Sequence, residues 1–219
     1  LQDHDVSAIT ENVKFVGLTG GIATGKSTVA GMLREFGAKI INADDLARVV
    51  VQPGKEAWKE IVAAFGNDIL RSDRTIDREK LRKIIFQDDK ARARLDAITH
   101  PRIRALALAR SQELAAKGAE VVVYEAPLLF ENEAHTWLSP VVVVTSDDAT
   151  QRRRLKGRDR LSETEIDQHI QAQMPLAEKR ALADFVIENN GDLDDLKRQV
   201  RDVWVKLTGA KHSASRSSG

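Results

Sequence analysis

Residues 20–28 read Gly20-Gly21-Ile22-Ala23-Thr24-Gly25-Lys26-Ser27-Thr28. They fit G-x-x-x-x-G-K-[ST], the loop that cradles the phosphates of a nucleoside triphosphate. Each residue type answers one demand of that ligand. Glycines let the chain bend so that successive backbone N–H groups converge on phosphate oxygens. Lys26 offers a point charge for the β- and γ-phosphates. Ser27 offers a small, hard hydroxyl suited to Mg²⁺, which is the expected cofactor. A helix opening near Gly25 turns the positive end of its dipole toward the anion. The nucleotide-binding set expected from the motif is Gly21, Ile22, Ala23, Thr24, Gly25, Lys26, Ser27 and Thr28.

Such a loop works only between a strand and a helix, and the flanking residues supply both. Val13 to Thr19 is a short, mostly apolar run. Val29, Met32, Leu33 and Phe36 fall at i, i+3, i+4 and i+7, one face of a helix, and Gly37 is its stop. Four more segments read as strands: Lys39 to Ala43, Val121 to Tyr124, Val141 to Val144 and Phe185 to Ile187. Unbroken β-branched runs belong to strands buried on both faces, hence to a parallel sheet covered by helices, and the class is α/β. About 75 residues with no strand signal separate the second strand from the third. They hold helix candidates near 55–65, 78–86, 88–99 and 101–117, the last opening at Pro101. That is far more than a crossover needs and predicts an inserted helical lobe.

Two carboxylates flank the expected site. Asp44 ends the second strand, and ligands of open parallel sheets bind outside the carboxyl ends of strands. There it can accept a hydroxyl proton, bind Mg²⁺ through water, or cap the next helix. Glu125 ends the third strand, the position of a Walker-B acid, and can hold Mg²⁺ or its water. Residues 151–160 carry six basic side chains and one acid. Arg154 and Arg158, at i and i+4, share a face and suit a triphosphate whose charge shifts during transfer. A capping box, Ser162 with Glu165, starts the next helix, so the basic stretch reads as an arm between helices, the shape of a lid. His100 reads by default as a buried hydrogen-bonding residue.

Bulk properties narrow the class. Among 219 residues, 42% are hydrophobic and 31% charged, with net charge +1, so no global field favours nucleic acid or an anionic membrane. The absence of cysteine excludes disulfides and thiolate chemistry and fits a reducing compartment, so a cytoplasmic location is expected. No apolar run approaches a membrane span. Residues 1–12 lack a signal-peptide pattern and read, with 209–219, as loose termini. The base-reading N-K-x-D and the D-x-x-G of switch GTPases are missing, as are H-R-D of protein kinases, H-E-x-x-H and G-x-S-x-G. A small-molecule kinase remains.

Motifs along the chain carry a family resemblance. Leu18-Thr19-Gly20-Gly21-Ile22 runs into Gly25-Lys26-Ser27-Thr28. Ala43-Asp44 with Ala47-Arg48, Phe65-Gly66, and His100-Pro101 with Ile103-Arg104 follow. Pro127-Leu128-Leu129-Phe130-Glu131, Arg154, Arg158-Asp159, and Gln173-Met174-Pro175 with Glu178-Lys179 come next. Ala183 to Ile187 with Asn189 and Gly191 completes the set. Over about residues 13–208 the chain resembles the dephospho-coenzyme A kinases.

The resemblance implies a P-loop kinase fold: a five-stranded parallel sheet flanked by helices, with a helical substrate lobe and a helical lid. Its parts would be a core (about 13–50, 118–146 and 183–208), an acceptor-binding insertion (about 51–117) and the lid (about 147–182). It implies ATP and dephospho-CoA as substrates, with the γ-phosphate passing to the ribose 3′-hydroxyl. Asp44, Lys26 and Arg154 would be catalytic. Arg154, Arg158 and Asn189 would join the ATP-binding set. Arg48, His100, Arg104, Pro127, Leu128, Leu129 and Glu131 would line the acceptor with Asp44. A monomer with no obligate protein partner is expected. Two departures stand out. Asn42 replaces a common aspartate and is excluded as a metal ligand. Ala23 replaces a common glycine and should fit only at negative φ.

Overall fold

The computed structural model describes residues 13–159 and 162–209. The expectations for both termini, Gly209 apart, fall outside those residues. The described chain forms two compact units.

The first unit comprises the described residues through Ile40 and from Gln112 onward. Its strands are β1 (Lys14–Gly20), β2 (Lys39–Asn42, at the unit's margin), β3 (Val121–Glu125), β4 (Val141–Thr145) and β5 (Phe185–Glu188), in the spatial order β2-β3-β1-β4-β5. β1 pairs in parallel with β3 and β4, and β4 with β5. Every residue of β3 and β4 is buried, which is why both read as continuous Val-rich runs. Parallel pairing brings the carboxyl ends of these strands to one edge. There Leu18 lies opposite Glu125, and Gly20 opposite Val144.

Helix α1 (Lys26–Glu35) buries Val29, Ala30, Met32 and Leu33, the face its periodicity predicted. It stops before Gly37, whose φ of 116° only glycine adopts cheaply. α1 packs with the last helix, α9 (Leu193–Thr208), which buries Leu196, Val200, Val203 and Leu207 in the same core. Each of these fully buried aliphatic side chains stabilises the fold by roughly 1.5–3 kcal/mol.

The second unit, Ile41–Ser111, has its own core of Ala57, Trp58, Ile61, Ile69, Ile76, Leu81 and Ile98. Its helices are α2 (Ala43–Val50), α3 (Glu56–Phe65), α4 (Arg78–Gln87) and most of α5 (Asp89–Ala116).

Three expectations are corrected. The helices predicted at 88–99 and 101–117 are one helix, α5, with Pro101 inside it. Proline removes one backbone donor there, that of the bond to Ala97 O, and the carbonyls on either side of that one carry additional side-chain bonds. The Thr99 hydroxyl donates to Leu95 O (2.9 Å) and the Arg102 guanidinium to Ile98 O (2.6 Å). The basic arm is itself a helix, α6 (Asp148–Asp159). Asp147 caps it by accepting from the Thr150 N–H at 2.7 Å, and Arg152 pairs with Asp148 one turn back at 2.8 Å. Finally, β2 ends at Asn42, so Asp44 sits in the first turn of α2 rather than on a strand. The cap is Asn42, whose side chain accepts from the Asp44 and Asp45 N–H groups at 2.8 and 3.3 Å. The predicted capping box of Ser162 and Glu165 opens α7 (Glu163–Gln171), and α8 (Leu176–Ala181) follows.

Candidate active site

The loop between β1 and α1 is shaped by residues that leave no alternative backbone. A Cβ on Gly20 would lie 2.5 Å from the Val144 carbonyl. Gly25 has φ 91°, and a Cβ there would lie 2.2 Å from Asn189 Nδ2. Thr24 is fully buried, and its hydroxyl donates to Gly21 O at 2.9 Å, closing the turn. α1 has neither a side-chain cap nor an acid in its first turn, so its positive end is left for an anion. Ala23 contradicts its expectation. Its φ is 59°, the left-handed region, where an L-residue costs about 1–2 kcal/mol.

The carbonyls of the loop are taken by side chains from α6 and the end of β5. Gln151 Nε2 donates to Ile22 O at 2.8 Å. Arg154 donates to Ala23 O and Thr24 O at 3.3 and 3.4 Å, and to Asn189 O at 3.1 Å. Asn189 Nδ2 donates to Thr24 O at 2.8 Å. Arg154 and Asn189, both expected near the nucleotide, are therefore brought to the loop as its supports. The side chain of Arg158 lies outside the described residues.

At the head of α1, Lys26 Nζ lies 2.6 Å from Glu125 Oε1, and the Ser27 hydroxyl donates to the same oxygen at 3.1 Å. Glu125 is only 6% exposed, so the lysine charge is neutralised in a region of low dielectric. Ser27 and Glu125 offer hard oxygen donors that fit Mg²⁺, directly or through water. Among the described residues, no cluster of three or more His, Cys, Asp or Glu could cage a metal without substrate oxygens.

Two other basic residues of α6, Arg152 and Lys156, spend their charge elsewhere. Arg152 meets Asp148 at 2.8 Å and Asp167 at 2.7 Å, and these carboxylates hold its pKa above the ordinary arginine value. Lys156 pairs with Glu163 at 3.0 Å.

Beyond β3, the loop from Pro127 to Glu131 is held from inside. Pro127 O accepts from the Thr19 hydroxyl at 3.2 Å and from Lys179 Nζ at 3.0 Å. Glu131 Oε1 accepts from Lys179 Nζ at 2.8 Å and from the Met174 N–H at 2.9 Å. Leu129 is fully buried, whereas Leu128 is exposed.

The remaining expected residues lie in the second unit. Asp44 and Arg48 are exposed on α2, one turn apart. His100 and Arg104 share a face of α5 at the same spacing. The His100 side chain is 38% exposed, with Nε2 3.5 Å from Asp96 Oδ1, so it is not the buried histidine expected by default.

Sequence reasoning passed over Gln151, Gln173 and Lys179 as functional residues. Gln151 hid among arginines. The other two were marked only by the Q-M-P-x-x-E-K motif, to which no role was attached.

The sequence profile of the dephospho-CoA kinase family matches residues 14–195. The chain is 50% identical over 194 residues to the dephospho-CoA kinase of Geobacter sulfurreducens, covering 89% of this chain and 98% of that protein. It is 43% identical over 195 residues to the Arabidopsis thaliana dephospho-CoA kinase, covering 89% and 84%. Among solved structures, dephospho-CoA kinase from Campylobacter jejuni superposes with a TM-score of 0.68 at 30% identity, covering 89% of this chain and 97% of that one. Shikimate kinase from Acinetobacter baumannii, at 16% identity and a TM-score of 0.50 over 94% and 99%, shares the fold alone.

Proposed function

This chain belongs to the dephospho-CoA kinase family, and from that premise we propose how its own residues move the ATP γ-phosphate to the ribose 3′-hydroxyl of dephospho-CoA. It is an ATP-dependent kinase, and its reaction is the last step of coenzyme A synthesis. In the transfer, the bond from the γ-phosphorus to the β,γ-bridging oxygen breaks, leaving ADP. A new bond forms from the acceptor 3′-oxygen to that phosphorus, and the hydroxyl proton leaves to a base.

The donor side rests on one observation, the ammonium of Lys26 held 2.6 Å from Glu125 at the head of α1. A lysine fixed there is pre-aimed, and on nucleotide binding its charge turns to the β- and γ-phosphate oxygens. The loop from Gly21 to Thr28 contributes backbone N–H groups, and Gly25 lets α1 begin against the phosphates. Arg154, and Arg158 one helical turn on, stabilise charge that shifts toward the leaving group. Asn189 fixes the loop beside Gly25. Ser27 would hold Mg²⁺, with Glu125 and Asp44 acting through water. When bound, Mg²⁺ neutralises phosphate charge and lowers the repulsion felt by the incoming oxygen.

Asp44 is the proposed base. It is an exposed carboxylate in the first turn of a helix, ready to orient the 3′-hydroxyl and take its proton. Arg48, His100, Arg104 and the exposed part of the Pro127–Glu131 loop are the proposed acceptor contacts, and the helical insertion of about residues 51–117 selects the substrate. No described helix is long and apolar enough to cross a membrane. We place the enzyme in the cytoplasm as a monomer.

A panel of acceptors offered with ATP and Mg²⁺ tests the assignment. Dephospho-CoA should be phosphorylated well ahead of nucleoside monophosphates and sugar acids. Preference for a monophosphate would overturn it.

A further inference from the structure

The Q-M-P-x-x-E-K segment, residues 173–179, takes no part in the chemistry above, yet it touches both loops that the chemistry needs. Gln173 Oε1 accepts the Ile22 N–H at 3.0 Å. The next residue, Met174, donates its own N–H to Glu131 Oε1 at 2.9 Å. Pro175 then starts α8, and the Lys179 N–H closes the first turn on Pro175 O at 3.1 Å. That turn carries Lys179 inward, where its ammonium meets Glu131 Oε1 at 2.8 Å and Pro127 O at 3.0 Å. Leu176 adds a steric contact, since a Cβ on Gly21 would lie 3.0 Å from its Cδ2.

We propose that residues 173–179 form a brace that sets the register between the nucleotide loop and the Pro127–Glu131 loop, with Gln173 and Lys179 as its two positioning residues. The inference rests on the proposed reading of these loops as nucleotide and acceptor elements.

Three arguments carry it. First, the two loops leave adjacent strands, β1 and β3, whose ends lie side by side. Beyond the strands no ladder fixes one loop against the other, and the brace holds one bond to the nucleotide loop and three to the Pro127–Glu131 loop. Second, Lys179 is 0% exposed. Burying an ammonium costs several kcal/mol that packing alone would not require, and a Met or Leu there would be cheaper. The charge is aimed at a backbone carbonyl and a carboxylate of the acceptor-side loop, so its effect is on that loop's position. Third, Ile22 is gripped at both backbone groups, by Gln173 at N–H and by Gln151 at C=O. That fixes the two peptide planes on either side of Ile22, the second leading into the strained Ala23. Transfer rates depend steeply on such placement, where a shift of about 1 Å costs on the order of a hundredfold.

The experiment uses the full chain. Gln173→Ala leaves the buried Lys179–Glu131 pair intact and carries the decision. Binding of a non-hydrolysable ATP analogue is measured without acceptor, and kcat and KM are then measured for both substrates. The brace predicts that the analogue Kd and the KM for ATP rise about fivefold, as for one net hydrogen bond, that kcat also falls about tenfold as the loops lose register, and that the acceptor KM stays within about twofold. The paired variant Lys179→Met/Glu131→Gln, which removes both charges, should do the reverse. Its acceptor KM should rise about tenfold with the analogue Kd nearly unchanged. Unchanged constants in Gln173→Ala would overturn the brace. So would a rise in both KM values in proportion to a lower melting temperature, because that is a general loss of packing. If the paired variant does not fold, Gln173→Ala still decides. If wild-type protein bound the analogue but ignored dephospho-CoA, the functional reading would fail while the analogue-binding arm remained informative.

Discussion

Lys26 and Glu125 form one unit at the edge of the sheet: the ammonium lies 2.6 Å from the carboxylate, with side-chain exposures of only 15% and 8%. Removing either partner does two things, disarming the donor side and leaving the other charge poorly solvated. Lys26→Ala should reduce phosphoryl transfer about a thousandfold or more. It should also destabilise the fold by about 3 kcal/mol, because the mostly buried Glu125 carboxylate loses the lysine charge that neutralises it. Lys26→Met with Glu125→Gln separates the effects. Denaturant melts should return most of the stability, while activity stays lost. Recovery of turnover in that double variant would show that the Lys26 charge is not needed for transfer.

Asp44 makes a different prediction because it is exposed on the first turn of α2. Asp44→Asn should leave stability within about 0.5 kcal/mol of wild type. Turnover should fall about a hundredfold, with ATP-analogue affinity unchanged. Because phosphoryl transfer depends mostly on placement and charge, the loss should be smaller than that in Lys26→Ala. Full turnover in Asp44→Asn would remove its assignment as base.

The backbone of the nucleotide loop predicts two substitutions of opposite sign. Ala23 sits at φ 59°, so Ala23→Gly should raise stability by about 1 kcal/mol, read as a higher midpoint of unfolding. Gly25→Ala should lower it and weaken nucleotide binding, since φ is 91° and the new Cβ would meet Asn189 Nδ2 at 2.2 Å. Adding Asn189→Ala removes that collision but not the strained backbone, so the double variant should recover only part of the loss.

Acid should loosen the helix starts of the α6–α7 region. Asp147 accepts from the Thr150 N–H and hydroxyl, and Glu165 from the Ser162 N–H and hydroxyl, and these bonds hold both carboxyls below the usual range. A group with a depressed folded pKa contributes stability above its unfolded value, about 4, and loses it as pH falls through the folded value. Asp147→Asn keeps an acceptor for Thr150 but cannot titrate, so its stability should fall less steeply below about pH 4 than that of wild type. Parallel acid-unfolding curves for the two proteins would refute this.

What the sequence made legible followed from local rules. The strand–loop–helix around Lys26 could be read because a glycine pattern and a 3.6-residue apolar stripe are both short-range signals. The Ser162–Glu165 box was readable for the same reason. Pro101 reads as a helix start by local rule, whereas a 28-residue helix runs through it and absorbs the loss of one backbone donor. Asp44 reads as a strand end because the apolar run before it continues the strand pattern, and only the bonds from the Asp44 and Asp45 N–H groups to Asn42 turn the chain into a helix there. Gln151, Gln173 and Lys179 were opaque in a deeper sense. Each acts on a backbone group more than 50 residues away in sequence, and no pattern along the chain encodes such a contact.

The measurement closest to the central claim is ADP release by the purified protein with ATP and Mg²⁺, with and without dephospho-CoA, and with the product's phosphate located by NMR. The account predicts ADP release that depends on dephospho-CoA, matched one for one by coenzyme A carrying its new phosphate on the ribose 3′-oxygen. ADP release indifferent to dephospho-CoA, or a phosphate found at any other position, would contradict it.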